Sequence, residues 1–187
     1  MTLPSYELPA GVLMRAATLD DSAALCDARL RNREHLAPWE PRRSEYTFTL
    51  EGVTERMRSQ LADLEAGRAA PWHLLDGEQV VGGLTLTCIV LGPFCSAYMG
   101  YWIAASHQGK GLVTAAVEHA CEAARTTLGL HRIEATTLLD NQRSQAVLRR
   151  CGFERIGTAP RYLHVDGAWR DHAMFQRVLH DEDPVGL

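Results

Sequence analysis

The stretch "YWIAASHQGKGLV" (residues 101–113) contains the only lysine of a chain that carries eighteen arginines. Lys110 stands between Gly109 and Gly111, after an apolar segment and before a segment with helical spacing. Glycines let a ligand come close to the backbone, and a helix N-terminus offers unpaired N–H groups and the positive end of the helix dipole. The pattern therefore predicts a strand–turn–helix loop that binds a negatively charged group.

Two well-known phosphate loops do not fit this stretch. A P-loop requires Ser or Thr after the lysine, where this chain has Gly111. A dinucleotide-binding fingerprint requires a third glycine, where this chain has Thr114. The loop is expected to use the same physical principle for a different ligand.

The segments on either side of the loop alternate between strand and helix patterns. Period-two spacing, β-branched residues and turn signals predict strands at 12–17, 71–75, 79–90, 96–104, 131–139, 153–165 and 168–179. Helical spacing predicts helices at 18–34, 50–66, 111–128 and 141–151, the first of them opened by a capping box of Thr18 and Asp21. The order β-α-α-β-β-β-α-β-α-β-β predicts an α/β fold with a mixed sheet and helices on both faces.

Composition limits the class of protein. A length of 187 residues is typical of a single domain, here with a core at about 12–178 and flexible ends, and a net charge of −4 gives no reason to expect nucleic acid or membrane as partner. Neither a signal peptide nor an apolar run of about 18 residues is found, which favours the cytoplasm. The five cysteines are far apart, which predicts reduced residues and no disulfide frame or metal site.

The loop is part of a longer pattern. Tyr101, Ile103, Gln108, Gly111 and Val113 match apolar-x-apolar-x4-[QR]-x-x-G-x-[GA], with Val113 as a conservative departure at the last position. This motif, together with "NREHLAPWEP" (32–41), "NQRSQAVLRRCGFERIG" (141–157) and "YLHVDGAWRDH" (162–172), resembles the GCN5-related N-acetyltransferase (GNAT) superfamily, in particular its RimJ/RimL branch of ribosomal-protein N-terminal acetyltransferases.

The resemblance implies acetyl-CoA as co-substrate and no metal. It implies that strand 96–104 pairs with the pantetheine arm, that this strand diverges from the strand after it, and that the loop holds the pyrophosphate. The cofactor-binding residues so implied are Trp102, Ile103, Gln108, Gly109, Lys110, Gly111, Leu112, Val113, Thr114, Asn141 and Ser144.

The resemblance also implies catalytic roles. Ser144 would give a proton to the departing thiolate and Asn141 would contact the cofactor arm, although both residues also suit helix capping. The position of a glutamate base in some members holds Leu163 here. Glu134, Tyr98, His164 or no residue at all remain as bases, and no cysteine is placed to act as nucleophile.

The acceptor side is less defined. Trp39 is expected to wall the acceptor cleft and Glu40 to attract an amine, although both also suit packing and solvated surface. An α-amine has a pKa of about 7.7–8.0 and a lysine side chain one of about 10.4, which favours a protein or peptide N-terminus as acceptor. Acetylation of a small amine (an amino acid, polyamine or antibiotic) and a non-catalytic acyl-CoA-binding module remain alternatives, as do monomer and homodimer.

Overall fold

The computed structural model describes residues 2–183. Within them the chain forms a continuous eight-stranded sheet. The strands are β1 (Tyr6–Glu7), β2 (Leu13–Ala16), β3 (Ala70–Asp76), β4 (Gln79–Val90), β5 (Ser96–Ile103), β6 (Arg132–Leu138), β7 (Glu154–Val165) and β8 (Ala168–Val178).

The sheet has the order β1-β2-β3-β4-β5-β6-β8-β7. Neighbouring strands are antiparallel except β5 and β6, which are parallel. The β5–β6 pairing runs from Ser96–Arg132 to Met99–Ala135 and stops there, although both strands continue. The two strands therefore diverge, as expected from the family resemblance, and the gap between them is bounded by Gly100–Ile103 on one side and Thr136–Leu138 on the other.

Five α-helices cover the two faces of this sheet in the described part of the chain. They are α1 (Ser22–Arg31), α2 (Arg33–Leu36), α3 (Leu50–Glu65), α4 (Leu112–Thr126) and α5 (Gln142–Arg150). On one face, Arg29 of α1 lies over the ring of Trp102 in β5, 5.5 Å from its centroid. On the other face, Tyr101 contacts Ser144 in α5. Adjacent residues of one strand thus reach the two helical layers, as strand alternation requires.

Most predicted elements are confirmed to within two residues, because their apolar periodicity matches their burial. In α4, for example, Ala116, Val117, Ala120, Cys121 and Ala124 are all buried in the core under the sheet. The β3–β4 hairpin turns at Gly77, which has φ +58°. Cys88 is exposed, and the other four cysteines are buried as free thiols.

The structure differs from the sequence prediction at one helix and at the start of the chain. The helix expected at 18–34 begins only at Ser22, because Leu19–Asp21 form a tighter 3-10 turn, and it breaks at Asn32, which separates α1 from α2. Strand β1 was not predicted. The core also begins before residue 12, since Leu3 and Leu8 are buried. The other flexible end expected from the sequence includes residues 184–187, which lie outside the described residues. No helix within residues 2–183 is long and apolar enough to cross a lipid bilayer.

Candidate active site

A cleft of about 750 Å³ opens where β5 and β6 diverge. It is lined by residues from β5, the loop after it, the start of α4, the end of β6, α5 and the segment around α2. The structure brings twelve of the predicted site residues to this cleft: Trp39, Glu40, Trp102, Ile103, Gln108, Gly109, Gly111, Leu112, Val113, Thr114, Asn141 and Ser144.

The glycine loop has the geometry of an anion-binding site. Gly109 and Gly111 have φ of +75° and +76°, and no atom lies within 4 Å of the position where a Cβ would stand on either residue. Within residues 2–183, no backbone N–H group from Gly109 to Thr114 donates a hydrogen bond. The loop therefore offers free donors at the positive end of α4.

Tyr101 and Ser144 form a hydroxyl pair at the cleft. The Tyr101 hydroxyl lies 2.8 Å from the Ser144 Oγ atom and 3.3 Å from the Ser144 carbonyl oxygen. Burial raises the pKa of Tyr101 to about 12, although the hydrogen bond with Ser144 acts in the opposite direction. The phenol therefore keeps its proton at neutral pH and is able to return one to Ser144. Sequence reasoning used Tyr101 only as a motif position and missed this partnership.

Asn141 caps a helix at the edge of the cleft. Its Oδ1 atom accepts a hydrogen bond from the Ser144 backbone N–H (3.1 Å), which makes it the N-cap of α5. It also lines the cleft. The cap fixes the first turn of α5 and with it the backbone position of Ser144.

The cleft mouth carries a cation that sequence reasoning missed. Arg143 lines the cleft, and its Nη1 atom donates to the Gln108 Oε1 atom at 2.9 Å. The Gln108 amide nitrogen lies 3.2 Å from the His35 Nε2 atom. Gln108 thus links the glycine loop to α5 and α2. The sequence signal for this network is Gln108, which occupies the motif position three residues before Gly111.

Four predicted residues lie away from the cleft lining. Lys110 is exposed and does not line the cleft. Glu134 is 8% exposed and ion-paired with Arg132 at 2.8 Å. Burial and the charge of Glu134 raise the pKa of Tyr98, so its phenol stays protonated and is a poor base. His164 is exposed and packs on Trp169 (ring centroids 5.5 Å apart). The geometry does not support Glu134, Tyr98 or His164 as the base.

Trp39 and Glu40, which the sequence predicts on the acceptor side, both line the cleft. Trp39 is 41% exposed and walls the cleft. Burial alone would raise the pKa of Glu40, but hydrogen bonds and charges from Arg29 and Arg43 outweigh burial and lower it. Because two arginines already neutralise this carboxylate, Glu40 does not present an unpaired charge to an amine.

Comparisons with known proteins agree with this geometry. The family model of the acetyltransferase (GNAT) domain matches residues 12–154. The [ribosomal protein uS5]-alanine N-acetyltransferase of Escherichia coli (strain K12) is 35% identical over 166 residues, which are 88% of this chain and 86% of that protein.

The chain belongs to the GNAT acetyltransferase family.

Solved structures of GNAT proteins match the whole fold. Ribosomal-protein-S5-alanine acetyltransferase from Vibrio fischeri superposes with a TM-score of 0.92 at 31% identity, covering 97% of this chain and 100% of that one. Mycobacterium smegmatis RimJ in complex with CoA-disulfide superposes with a TM-score of 0.88 at 36% identity, covering 95% of this chain and 87% of that one. This GNAT protein is an acetyl-CoA-dependent N-acetyltransferase.

The residues present fit acetyl-CoA. The free N–H groups between Gly109 and Thr114 suit a diphosphate, and Arg143 adds a cation beside them. Beyond Met99, β5 pairs with β4 on one side only, so its other edge is free to hydrogen-bond the amides of a pantetheine arm. The Tyr101–Ser144 pair then lies at the divergence of the strands, where the arm would end.

Proposed function

We propose that this protein acetylates the N-terminal α-amine of a protein, with a ribosomal protein that begins with alanine as the first candidate. The observation that carries the proposal is the similarity to the Escherichia coli uS5-alanine N-acetyltransferase along 88% of this chain. The open cleft, walled by the exposed Trp39, supports it because a chain terminus needs an accessible entry. We place the reaction in the cytoplasm, where new ribosomal proteins are made.

The chemistry of the acceptor supports an α-amine. An N-terminal amine has a pKa of about 7.7–8.0, so roughly a tenth or more of it is neutral at pH 7, whereas a lysine amine at about 10.4 is almost fully charged. A polyamine would be favoured by an unpaired carboxylate in the cleft. Glu40 does not provide one, because it is paired with Arg29 and Arg43.

The residues of the chain have distinct tasks in this transfer. Acetyl-CoA supplies the activated thioester. The loop from Gly109 to Thr114 binds and orients the diphosphate, and the free edge of β5 aligns the pantetheine arm. Ser144 gives a proton to the sulfur as the carbon–sulfur bond breaks, and Tyr101 resupplies that proton through the 2.8 Å hydrogen bond. A positioned acid typically contributes about 10²–10⁴-fold to the rate.

Free-thiol release from acetyl-CoA tests the proposal. Peptides that begin with alanine or serine are compared with the same peptides blocked at the α-amine, and with free amino acids, polyamines and aminoglycosides. We expect thiol release with unblocked peptides and a 42-dalton mass gain at their N-terminus. Faster release with a small amine than with any peptide would overturn the proposed acceptor and leave the enzyme class intact.

A further inference from the structure

His172 lies at the cleft and has no role in the reaction described so far. It stands on β8, is 4% exposed and lines the cleft. Its Nδ1 atom lies 3.1 Å from the Arg170 carbonyl oxygen. A carbonyl oxygen only accepts hydrogen bonds, so Nδ1 carries a proton, and in the neutral form of the ring Nε2 is the nitrogen with the lone pair. Within residues 2–183, Nε2 has no hydrogen-bond partner.

Strand alternation places His172 on the face of the sheet opposite Ser144. Phe175 of β8 packs under Arg149 of α5, with the guanidinium carbon 6.0 Å from the ring centroid. The pairing of β8 with β6 is regular from Leu138–His172 to Arg132–Val178, so residues an odd number apart point to opposite faces. His172 therefore lies on the face opposite α5, the same face as Trp102, whereas Ser144 lies in α5 itself.

The hairpin of β7 and β8 holds the His172 ring in place. The ladder between these strands is irregular between Ala159 and Leu163, where Arg161 has φ +48° and its N–H donates to Asp171 Oδ1 at 2.8 Å. This irregularity brings the ring of Tyr162 against His172, with 5.4 Å between ring centroids. The tilted Tyr162 ring and the Nδ1 hydrogen bond together fix the direction of Nε2.

We propose that His172 Nε2 receives the proton of the acceptor amine. The ammonium form of the acceptor loses one proton to Nε2, which passes it to solvent through the cleft. The resulting neutral amine forms a bond from nitrogen to the acetyl carbon while the carbon–sulfur bond breaks. The second proton leaves the nitrogen for solvent in the cleft as the amide forms. The sulfur gains one proton from the Tyr101–Ser144 pair, which regains a proton from solvent. Acid and base thus work from the two sides of the gap between β5 and β6.

The surroundings of His172 contain few other titratable groups within the described residues. Tyr162 of β7 contacts its ring, and Asp171 is bonded to the Arg161 backbone. The other titratable or charged groups that line the same cleft are His35, Glu40, Tyr101, His107, Asp140, Arg143 and Arg150. Of the carboxylates, Glu40 is bound by Arg29 and Arg43, and Asp140 lies 3.7 Å from Arg170. His172 is the group in this set that combines burial with a free lone pair.

The proposal rests on acetyl transfer to an amine, whichever acceptor is used, so His172→Gln is assayed with any amine that the wild type acetylates. We expect kcat/KM to fall about 10²-fold at pH 7, the lower end of the range for a positioned base. The difference in kcat/KM between variant and wild type is expected to shrink above about pH 8, because most of the acceptor amine is then already neutral in solution. The shift of melting temperature caused by acetyl-CoA stays unchanged. His119→Gln is the control, since His119 also contacts a tyrosine ring, that of Tyr6 (4.2 Å between ring centroids), but does not line the cleft.

Two outcomes overturn the proposal. One is a loss in His172→Gln that is the same at every pH, which indicates a structural role. The other comes from nitrogen NMR of the wild-type histidine rings, which needs neither an active variant nor a known acceptor. We expect His172 to carry its proton on Nδ1, and a proton on Nε2 instead would exclude it as proton acceptor. A wild type that acetylates no amine contradicts the proposed function, and the NMR result still decides the state of His172.

Discussion

The hydroxyl groups of Tyr101 and Ser144 lie 2.8 Å apart in a largely buried site, so we expect them to act as one unit. We expect Ser144→Ala to lower kcat about 10²-fold while the KM for acetyl-CoA changes less than about twofold. Tyr101→Phe is expected to lower kcat by a smaller factor. Because both variants interrupt the same proton path, the double variant is expected to be no slower than Ser144→Ala. Steady-state kinetics of the three variants measure this, and additive losses in the double variant would show that the residues act separately.

The raised pKa of Tyr101 affects what we expect of activity and stability at alkaline pH. A pKa raised to about 12 means that the phenol keeps its proton throughout the range of ordinary assays. We therefore expect no loss of kcat from ionisation of Tyr101 between pH 8 and 10. The same shift contributes stability below about pH 10, the pKa in the unfolded chain, and that contribution falls as pH rises from about 10 to about 12. Chemical denaturation of wild type and Tyr101→Phe at pH 9 and 11 checks the sign, since the variant loses less stability over that interval.

At the residue scale, the sequence predicted the glycine turn before α4 and the place of Ser144 at the start of α5, because both depend on local spacing. It did not predict His172, since the free lone pair depends on the Arg170 carbonyl two residues earlier and on the ring of Tyr162 from another strand. For Glu40, by contrast, the sequence indicated an unpaired charge, which the folded chain does not have. Its charge is visible in the sequence, but its neutralisation by Arg29, eleven residues away, requires the folded α1.

At the element scale, the start of α4 depends on Gly111. An alanine there must adopt φ +76°, which costs about 1–2 kcal/mol, and its methyl group stands where the diphosphate is expected. We expect Gly111→Ala to raise the KM for acetyl-CoA about tenfold or more, since charge-assisted hydrogen bonds are worth about 1.5–3 kcal/mol. Isothermal titration with CoA and melting curves measure the two effects.

Gly129→Ala is the matched control for this loop. Gly129 has φ +63°, again with no atom within 4 Å of a Cβ position, but it does not line the cleft. We expect a similar fall in melting temperature, about 2–8 °C, without a change in KM. An equal rise of KM in both variants would mean that backbone strain, and not the loop's contact with the ligand, sets the affinity.

The carboxylate of Asp21 joins three elements near β2. It accepts hydrogen bonds from Arg15 (3.0 Å), His73 in β3 (3.0 Å) and the Thr18 N–H (2.9 Å), and it is buried. Burial would raise the pKa of Asp21, but these hydrogen bonds outweigh burial and hold it well below its usual range. We expect Asp21→Asn to reduce the free energy of unfolding by about 3 kcal/mol, because it leaves Arg15 without its partner. The exposed neighbour Asp20 provides the control variant Asp20→Asn.

The pH dependence follows from the lowered pKa of Asp21. Its contribution is fully present above about pH 4, the pKa of an unfolded aspartate, and is lost as pH falls below that value. Denaturation at pH 7 and pH 3 is expected to show a smaller loss in Asp21→Asn than in wild type. An equal loss in both would show that other carboxylates govern acid stability.

Element limits were the least predictable part of the fold. The helical pattern of 18–34 gave no sign of the break at Asn32. The Asn32 side chain there donates to the Ala28 carbonyl (2.8 Å) and accepts from the Ala105 N–H (2.9 Å) in the loop after β5. A tertiary contact over 73 residues thus ends a helix that local propensity would continue.

At the scale of the whole molecule, one parallel pair in an otherwise antiparallel sheet creates the site. Because β5 and β6 separate after Met99–Ala135, a ligand is able to reach across the sheet between its two helical layers. The layer of α4 and α5 carries the free N–H groups and Ser144, whereas Trp39 and the side chain of His172 of β8 lie on the opposite side of the sheet. The two substrates are therefore expected to approach from opposite faces and to meet in the gap.

The segment before β2 packs into the core, and its contribution to stability can be measured. Leu8 precedes the predicted core but is 5% exposed, and the Trp72 indole donates to the Pro4 carbonyl at 3.1 Å. We expect Leu8→Ala to cost about 3 kcal/mol of stability and to lower the melting temperature by about 6–12 °C. Leu13→Ala is the control, because Leu13 is 39% exposed on the neighbouring strand and should cost less than about 1 kcal/mol. Neither residue lines the cleft, so kcat/KM should stay the same in both variants at a temperature where both are folded. Equal melting temperatures for the two variants would show that the first eleven residues add nothing to the core.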